Sequence, residues 1–300
     1  MNETSSLVRR PRALEARVAR ARRTAHEAEA PERADQPYLP LGVTNYEEHV
    51  PKGGCASLVY SFSTGADAVS PWAVPDGCVD LSFGIGPSDV VVTIGGTVSS
   101  ARAWSFSEGR SWVGCRFRSG EALLPCGLAP EDLVDADVAL DRDVTEGLLA
   151  TQLFEAEDQE ERMSLLEDEL RSWQLGGAAP APVRMPGSER TRSLERAARR
   201  EIQRTGGRAT VSAVAQAVGV SPRYLRRAFA EVHGFSPKLY ARFVRFQHAL
   251  SLVSRAHGTQ SATDIALACG YNDQSHLVHE FDDFAGMTPG QFRSLVGATA

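Results

Sequence analysis

The chain has 300 residues, of which 42% are hydrophobic and 23% are charged. This length allows about two domains with cores of their own, and the composition excludes a collagen-like or wholly disordered chain. No run of 18 or more apolar residues occurs, so we expect no membrane span. The charged N-terminus has no apolar core segment, so we expect no secretory signal and a cytoplasmic location.

The net charge of −6 is unevenly distributed. Residues 190–300 carry 15 Arg and Lys against eight Asp and Glu, whereas residues 37–189 carry nine against 24. A basic block on an acidic body suits a polyanionic partner for one part of the chain only. Drift of charge between two domains is the alternative, and charge alone does not decide between them.

The cysteines are odd in number and no two have C-x-x-C spacing; they are Cys55, Cys78, Cys115, Cys126 and Cys269. In a chain without an export signal, we expect reduced and partly buried thiols. A redox or metal-sensing role is the alternative.

In chain order, residues 1–36 are rich in Ala, Arg and Glu and predict a disordered or loosely helical extension. From residue 37 to residue 143, short apolar runs rich in Val, Phe, Trp and Tyr are bounded by Gly, Pro, Ser and Asp. These runs predict strands at hairpin-like spacing. We therefore expect a β-rich domain, built as a sandwich or a small barrel.

Residues 144–175 show helical periodicity, with apolar residues spaced for one face and acidic residues between them. This stretch is long enough for two helices, which would either pack on the β domain or form a homodimer interface. Residues 176–188 are rich in Gly, Ala and Pro and predict an interdomain linker.

Residues 189–300 predict an all-α domain with two helix-turn-helix units, so that the whole chain is an α+β multidomain protein. In the first unit, Gly219 interrupts a short helix where a positive φ angle costs little. The Ser-Pro pair that follows is typical of the start of a helix. Leu225 and Phe229 occupy its inner face, and three arginines occupy other faces: Arg223, Arg226 and Arg227. Such a helix is suited to the major groove of DNA.

The second unit repeats this pattern, with a turn at Gly270 and inner residues Leu277 and Phe281. A helix from Pro237 to about His257 joins the units. At a rise of 1.5 Å per residue it spans about 30 Å, close to the ~34 Å of one DNA turn. The two reading helices would then enter successive major grooves.

The run GYNDQSHLVHEFDDFAGMTPGQFR, Gly270 to Arg293, resembles the signature of AraC/XylS-type transcription regulators, and the resemblance extends over about Leu194–Leu295. It implies a regulator of transcription that is not an enzyme, requires no cofactor and binds double-stranded DNA, with RNA polymerase as a further partner. It also implies base contacts from Arg223, Arg226, Arg227, Gln274, Ser275, His276 and His279.

This sequence departs from the family pattern around the second reading helix. The family commonly has a basic residue where His279 stands, and Glu280, Asp282 and Asp283 surround it here. Because carboxylates near phosphates are repelled, we expect the first unit to supply most of the affinity for DNA.

The motifs PWAVPDGCVDLSFGI and GCRFRSGEALLPCGL resemble a β-rich domain that precedes some regulators of this family, which implies a cupin-like, jelly-roll-type sensory domain with a small-molecule effector. Trp72, Trp104 and Trp112 would line an apolar ligand pocket or belong to the core. Arg116 and Arg118 would share one face of a strand, where they would clamp an anionic ligand or pair with local carboxylates.

A catalytic or metal site in this region is not expected, because His49 is the single histidine between residues 38 and 176. Two other functions stay open. One is a DNA-repair alkyltransferase fused to this type of DNA reader, which would need a zinc-bound cysteine cluster. The other is a protein-binding adaptor that has lost its DNA contacts, which the acidic second unit favours.

Overall fold

The structure is a computed structural model that describes residues 43–51, 54–65, 72–104, 106–125, 127–142, 149–174, 183–255 and 260–297. The extension predicted for residues 1–36 and most of the predicted linker lie outside these ranges. An antiparallel β region is followed by an all-helical region. The α+β class predicted from the sequence is therefore confirmed, whereas the finer description of the β region as cupin-like stays a prediction.

The described strands are, in chain order, β1 (Thr44–His49), β2 (Ala56–Ser63), β3 (Trp72–Ala73), β4 (Asp80–Ile85), β5 (Val90–Gly95), β6 (Arg102–Ala103), β7 (Ser111–Phe117), β8 (Leu124–Pro125), β9 (Asp137–Ala139) and β10 (Val183–Arg184). Six of them form an antiparallel sheet in the order β1-β2-β7-β4-β5-β9. The short pairs β3–β6 and β8–β10 form separate two-stranded sheets. The last strand comes from the C-terminal part of the predicted linker.

The two faces of the six-stranded sheet differ because side chains alternate along each strand. One face is apolar and packs against helices α1 (Ala150–Glu155) and α2 (Gln159–Gln174), whose Leu153 and Leu166 are fully buried there. These helices thus cover their own β region, which is the packing alternative that the sequence left open. The other face carries Asp80 and Ser82 among aromatic residues.

The helical region contains α3 (Glu189–Arg204), α4 (Val211–Ala217), α5 (Pro222–His233), α6 (Pro237–Arg255), α7 (Ala262–Cys269), α8 (Gln274–Ala285) and α9 (Pro289–Gly297). Helix α3 begins at Glu189 because the Ser188 hydroxyl accepts a hydrogen bond from Thr191 N at 3.1 Å. Such a cap satisfies one of the unpaired N–H groups of the first turn.

A single core joins the two helix-turn-helix units. Leu225 and Phe229 of α5 and Leu277 and Phe281 of α8 are fully buried in the same cluster. Phe246 of α6 lies between the units, with its ring centroid 5.2 Å from that of Phe281. Shared packing of this kind fixes the relative orientation of the two reading helices, because a close-packed interior resists sliding.

The β region contacts helices α3 and α6 directly. Val74 belongs to the core of the helical region, and the Gln247 side-chain amide donates to the Pro75 carbonyl at 2.8 Å. Arg199 of α3 pairs with Glu121 at 3.2 Å. The segments around β3 and β8 therefore rest on α3 and α6, next to the helices that carry the first unit.

Candidate functional site

The first helix-turn-helix unit consists of α4, a turn at Gly219 and α5. Gly219 has φ +72°, and the Ser221 hydroxyl accepts a hydrogen bond from Tyr224 N at 3.2 Å, which starts α5. The three predicted contact residues of α5 are exposed: Arg223, Arg226 and Arg227. Within the described part of the chain, no carboxylate forms an ion pair with any of them, so their charges face solvent.

The second unit consists of α7, a turn at Gly270 and α8. Gly270 has φ +81°, and Asp273 caps α8 by accepting from His276 N at 2.8 Å. The predicted contact residues Gln274, Ser275 and His279 are exposed, whereas His276 is half-buried. The His276 ring lies edge-on to the Tyr271 ring at 5.2 Å, so this residue packs the turn as well as bordering the surface.

The acidic residues of α8 do not all face the presumed DNA side. Glu280 is buried and its Oε1 accepts from Arg242 Nε at 2.8 Å, while Asp283 pairs with Arg242 Nη2 at 3.0 Å. Arg242 lies on α6, and its guanidinium stacks over the Phe284 ring at 4.5 Å. The repulsion expected from the sequence is therefore reduced, because Glu280 is buried and Arg242 offsets one of the two charges of Glu280 and Asp283.

The linking helix α6 has 19 residues, which corresponds to about 28 Å of helix. This length is close to the ~34 Å that separates successive major-groove entries on one face of B-DNA. The exposed starts of α5 and α8 and the shared core are therefore compatible with two contacts on one DNA face.

A cysteine nucleophile has little support from the described residues. Cys55, Cys78, Cys115 and Cys269 are buried, and Cys126 lies outside the described residues. Burial raises the pKa of Cys55 to about 11 and that of Cys269 to about 12, which disfavours the reactive thiolate. Across the described ranges, no three His, Cys, Asp or Glu side chains are grouped to hold a metal ion.

The two arginines predicted to clamp an anion have different surroundings. Arg116 is buried, with its Nε 3.2 Å from Asp80 Oδ2 and 3.6 Å from Asp76 Oδ2. Strand β7 ends at Phe117, so Arg118 leaves the sheet, and its guanidinium donates to the Gly54 carbonyl. For Arg116 the structure thus shows the second of the two alternatives, pairing with local carboxylates, and the two guanidinium groups have separate partners.

A pocket opens on the polar face of the six-stranded sheet. Its floor is formed by residues of β4 and β5, and aromatic side chains surround it; the lining residues are Tyr60, Asp80, Ser82, Thr93, Gly95, Trp104, Phe106, Trp112 and Asp137. Two of the three tryptophans predicted from the sequence are thus present, and the side chain of Trp72 lies outside the described residues. Close packing of the Tyr60 side chain against β7 requires glycine at position 114, since a Cβ there would lie 2.7 Å from the Tyr60 hydroxyl.

Asp80 is the most unusual polar residue of this pocket. Burial raises its pKa to about 6, because Arg116 beside it offsets only part of the desolvation and Asp76 adds a like charge. For Arg116, burial alone would lower the pKa, but Asp80 and Asp76 raise it. Desolvation and the neighbouring Asp80 hold the pKa of Tyr60 well above its usual range. One oxygen of Asp80, Oδ1, has no hydrogen-bond partner among the described groups.

Sequence reasoning missed Asp80, Ser82 and Thr93. A signal was present in the run VDLSFGI, where Asp80 and Ser82 alternate with Leu81 and Phe83. Polar residues at every second position of a buried strand indicate a polar lining on one face.

The comparisons with known proteins concern the helical region. Residues 214–294 match the model of a helix-turn-helix domain. The chain is 35% identical over 82 residues to the HTH-type transcriptional activator RhaR of Klebsiella pneumoniae, covering 27% of this chain and 28% of that protein. It is 31% identical over 86 residues to the melibiose operon regulatory protein of Escherichia coli K12, covering 29% of this chain and 28% of that protein. The C-terminal domain is a helix-turn-helix domain of the AraC/XylS type.

The matched part spans less than a third of the length of these curated relatives. Among solved structures, a probable AraC family transcriptional regulator from Rhodopseudomonas palustris aligns with 28% identity and a TM-score of 0.32 over 35% of this chain and 97% of that chain. ToxT from Vibrio cholerae aligns with 12% identity and a TM-score of 0.40 over 84% of this chain and 98% of that chain. No helix in the described ranges has both the length and the apolar composition that crossing a membrane demands.

Proposed function

We propose that this protein is a sequence-specific transcription regulator that binds double-stranded DNA through both units of its AraC-type domain and responds to a small molecule through its β region. The observation that carries the proposal is the pair of exposed reading helices, α5 and α8, which share one core and are joined by the 19-residue helix α6. The proposal also includes assembly as a homodimer, a small-molecule effector and RNA polymerase as a partner.

The two reading helices offer different chemistry to DNA. Helix α5 presents Arg223, Arg226 and Arg227, which suit bidentate contacts to guanine and ion pairs with phosphates. Helix α8 presents Gln274, Ser275 and His279, which suit hydrogen bonds to base edges. We infer that both units contribute to sequence preference and that the first contributes most of the charge-dependent affinity.

A route from the β region to the linking helix α6 supports the response to a ligand. Asp80 lies in the pocket, Arg116 joins it to Asp76, and the Asp76 side chain accepts from Cys78 N at 2.8 Å. This turn carries Pro75, whose carbonyl receives the hydrogen bond from Gln247 of α6. A change at Asp80 is thus connected through contiguous contacts to the helix that joins the two units.

The test begins with selection of a preferred duplex from random DNA by the full chain. Binding of that duplex and of an unrelated duplex is then measured by fluorescence anisotropy over a range of salt. For Arg226→Ala we expect the dissociation constant for the preferred duplex to rise roughly 10- to 100-fold, because one bidentate base contact contributes about 1–3 kcal/mol.

The matched control is Arg200→Ala, which removes the same charge from an exposed position of α3, outside both helix-turn-helix units. We expect it to weaken binding of both duplexes slightly and equally. Failure to select any preferred duplex, or equal affinity of the wild type and Arg226→Ala for it, would contradict the proposed function.

A further inference from the structure

The pocket on the polar face of the sheet has a chemistry that identifies a class of ligand. We propose that the pocket between Asp80 and the rings of Tyr60, Trp104, Phe106 and Trp112 binds a small organic cation, such as a compound with an alkylammonium group. The inference rests on the proposed function in one respect, since the cation would be the effector of the regulator. Binding itself is independent of DNA.

The aromatic walls are arranged around the pocket with several ring faces and edges. The Phe106 ring lies at right angles to that of Trp104, with centroids 6.0 Å apart, and close to perpendicular to that of Trp112, with centroids 4.9 Å apart. The electron-rich faces of tryptophan and tyrosine attract cations that lie within about 6 Å of the ring centre. The ring faces favour a cation with apolar substituents, and the indole N–H groups of Trp104 and Trp112, which have no partner among the described residues, can donate to an acceptor on the same ligand.

The floor provides an unpaired acceptor. Asp80 lines the pocket and is 5% exposed; Arg116 and the Tyr60 hydroxyl interact with its carboxylate, and its Oδ1 has no hydrogen-bond partner of normal geometry in the described part of the chain. A buried acceptor without a donor is costly, and a charged one more so. The N–H groups of an ammonium ion would satisfy this oxygen while Oδ2 stays with Arg116.

The charge that faces the pocket at its floor is the Asp80 carboxylate. Arg116 Nε lies 3.2 Å from Asp80 Oδ2 and 3.6 Å from Asp76 Oδ2, so Asp80 shares this guanidinium with a second carboxylate. At the rim, Asp137 pairs with Arg102, and this pair is neutral as a whole. The Asp80 carboxylate would attract a cation and repel an anion, whereas a neutral polyol would gain nothing from its charge.

The size of the pocket limits the ligand. Its volume is about 40 Å³, compared with the roughly 10–15 Å³ that a single water molecule requires on the same measure. The space accommodates an ammonium head group with a short apolar substituent. Ser82 and Thr93 line the same floor, and their hydroxyl groups can accept further N–H groups.

The experiment is calorimetric titration of the full chain, without DNA, with methylammonium, n-propylammonium and benzylammonium chloride. Each is compared with the alcohol of the same carbon skeleton, and D-glucose serves as a neutral polyol. Tryptophan fluorescence gives a second readout, because Trp104 and Trp112 line the pocket. We expect at least one ammonium compound to bind at least about tenfold more tightly than its alcohol.

The deciding variant is Asp80→Asn, which should lower the affinity for that ammonium compound about tenfold or more while leaving the affinity for the alcohol unchanged. The control is Asp89→Asn, which removes an exposed carboxylate that pairs with Arg110 away from the pocket lining. Should Asp80→Asn fail to fold, Trp104→Leu removes one aromatic face without changing any charge and should weaken ammonium binding similarly.

Three results would overturn the inference: no ammonium compound binds at about 10 mM, the alcohols or D-glucose bind as tightly as the ammonium compounds, or binding survives both Asp80→Asn and Trp104→Leu. None of these results affects the DNA-binding test, so a failure of the ligand class is distinguishable from a failure of the proposed function.

Discussion

The contact between Arg242 and the second reading helix allows a prediction with a definite magnitude. Arg242→Ala leaves Glu280 buried without a cation; its side chain is 7% exposed, and its second oxygen already has no partner among the described residues. Breaking a buried ion pair costs about 3–5 kcal/mol. Because the Arg242 side chain is 30% exposed, water reaches part of the site, and we expect a loss of about 3 kcal/mol.

The measurement is urea denaturation followed by circular dichroism at the helical band. All four tryptophans precede residue 189, so their fluorescence reports the β region separately and shows which part of the chain loses stability. We expect Arg242→Ala to lower the free energy of unfolding of the helical region and to leave the fluorescence transition nearly unchanged. The double variant Arg242→Ala/Glu280→Gln should recover much of the loss, because a neutral amide replaces the unpaired charge.

The matched control is Arg171→Ala, which breaks the exposed pair of Arg171 with Asp168, 54% and 68% exposed. Such a pair contributes about 0.2–1 kcal/mol at most. If Arg242→Ala costs no more than this control, or if Glu280→Gln recovers nothing, then the buried pair does not stabilise the second unit and the assignment of its carboxylates to the interior is wrong.

Two further predictions concern the turns and the pocket. Gly219→Ala and Gly270→Ala both force alanine to a positive φ, which costs about 1–2 kcal/mol of stability, but only at Gly270 would the new Cβ lie 2.5 Å from Arg208 Cδ. Urea denaturation should therefore show the larger loss of stability for Gly270→Ala, and equal losses would refute this explanation of the turn. The affinity for the ammonium compound should be constant above about pH 7 and fall by up to about tenfold per pH unit below the Asp80 pKa of about 6, because a proton then competes for the carboxylate. Calorimetry that finds equal affinity above pH 7 and below pH 6 would refute this prediction.

Local patterns made the helix-turn-helix units predictable. The glycine turn, the capping serine or aspartate and the apolar pair four residues apart all act within about 15 residues, so the sequence alone places Leu225 and Phe229 or Leu277 and Phe281 on an inner face. The structure agrees with this placement for all four side chains. The start of α3 was less predictable, because its capping serine lies beyond the apolar pattern.

The pocket was not predictable in the same way, because it depends on strand register. Asp80 faces Arg116 only because β4 and β7 pair antiparallel with these two residues opposite each other. The sequence separation of 36 residues carries no sign of this pairing. The same reason explains why the sequence left open whether Arg116 binds a ligand or pairs with a carboxylate, and why it gives no sign of the Arg242–Glu280 pair, 38 residues apart.

The position of the carboxylates changes how the two units should differ in DNA binding. With Glu280 buried and with Glu280 and Asp283 sharing Arg242, the surface of α8 is less acidic than its sequence suggests and presents the neutral hydrogen-bonding groups of Gln274 and Ser275, whereas that of α5 is cationic. Phosphate contacts carry the salt dependence of binding, and neutral contacts to base edges carry little of it. Substitutions of the α5 arginines should therefore change both the affinity for DNA and the salt dependence of that affinity. Substitutions of Gln274 or Ser275 should change the sequence preference at one half of the site and leave the salt dependence almost as in the wild type.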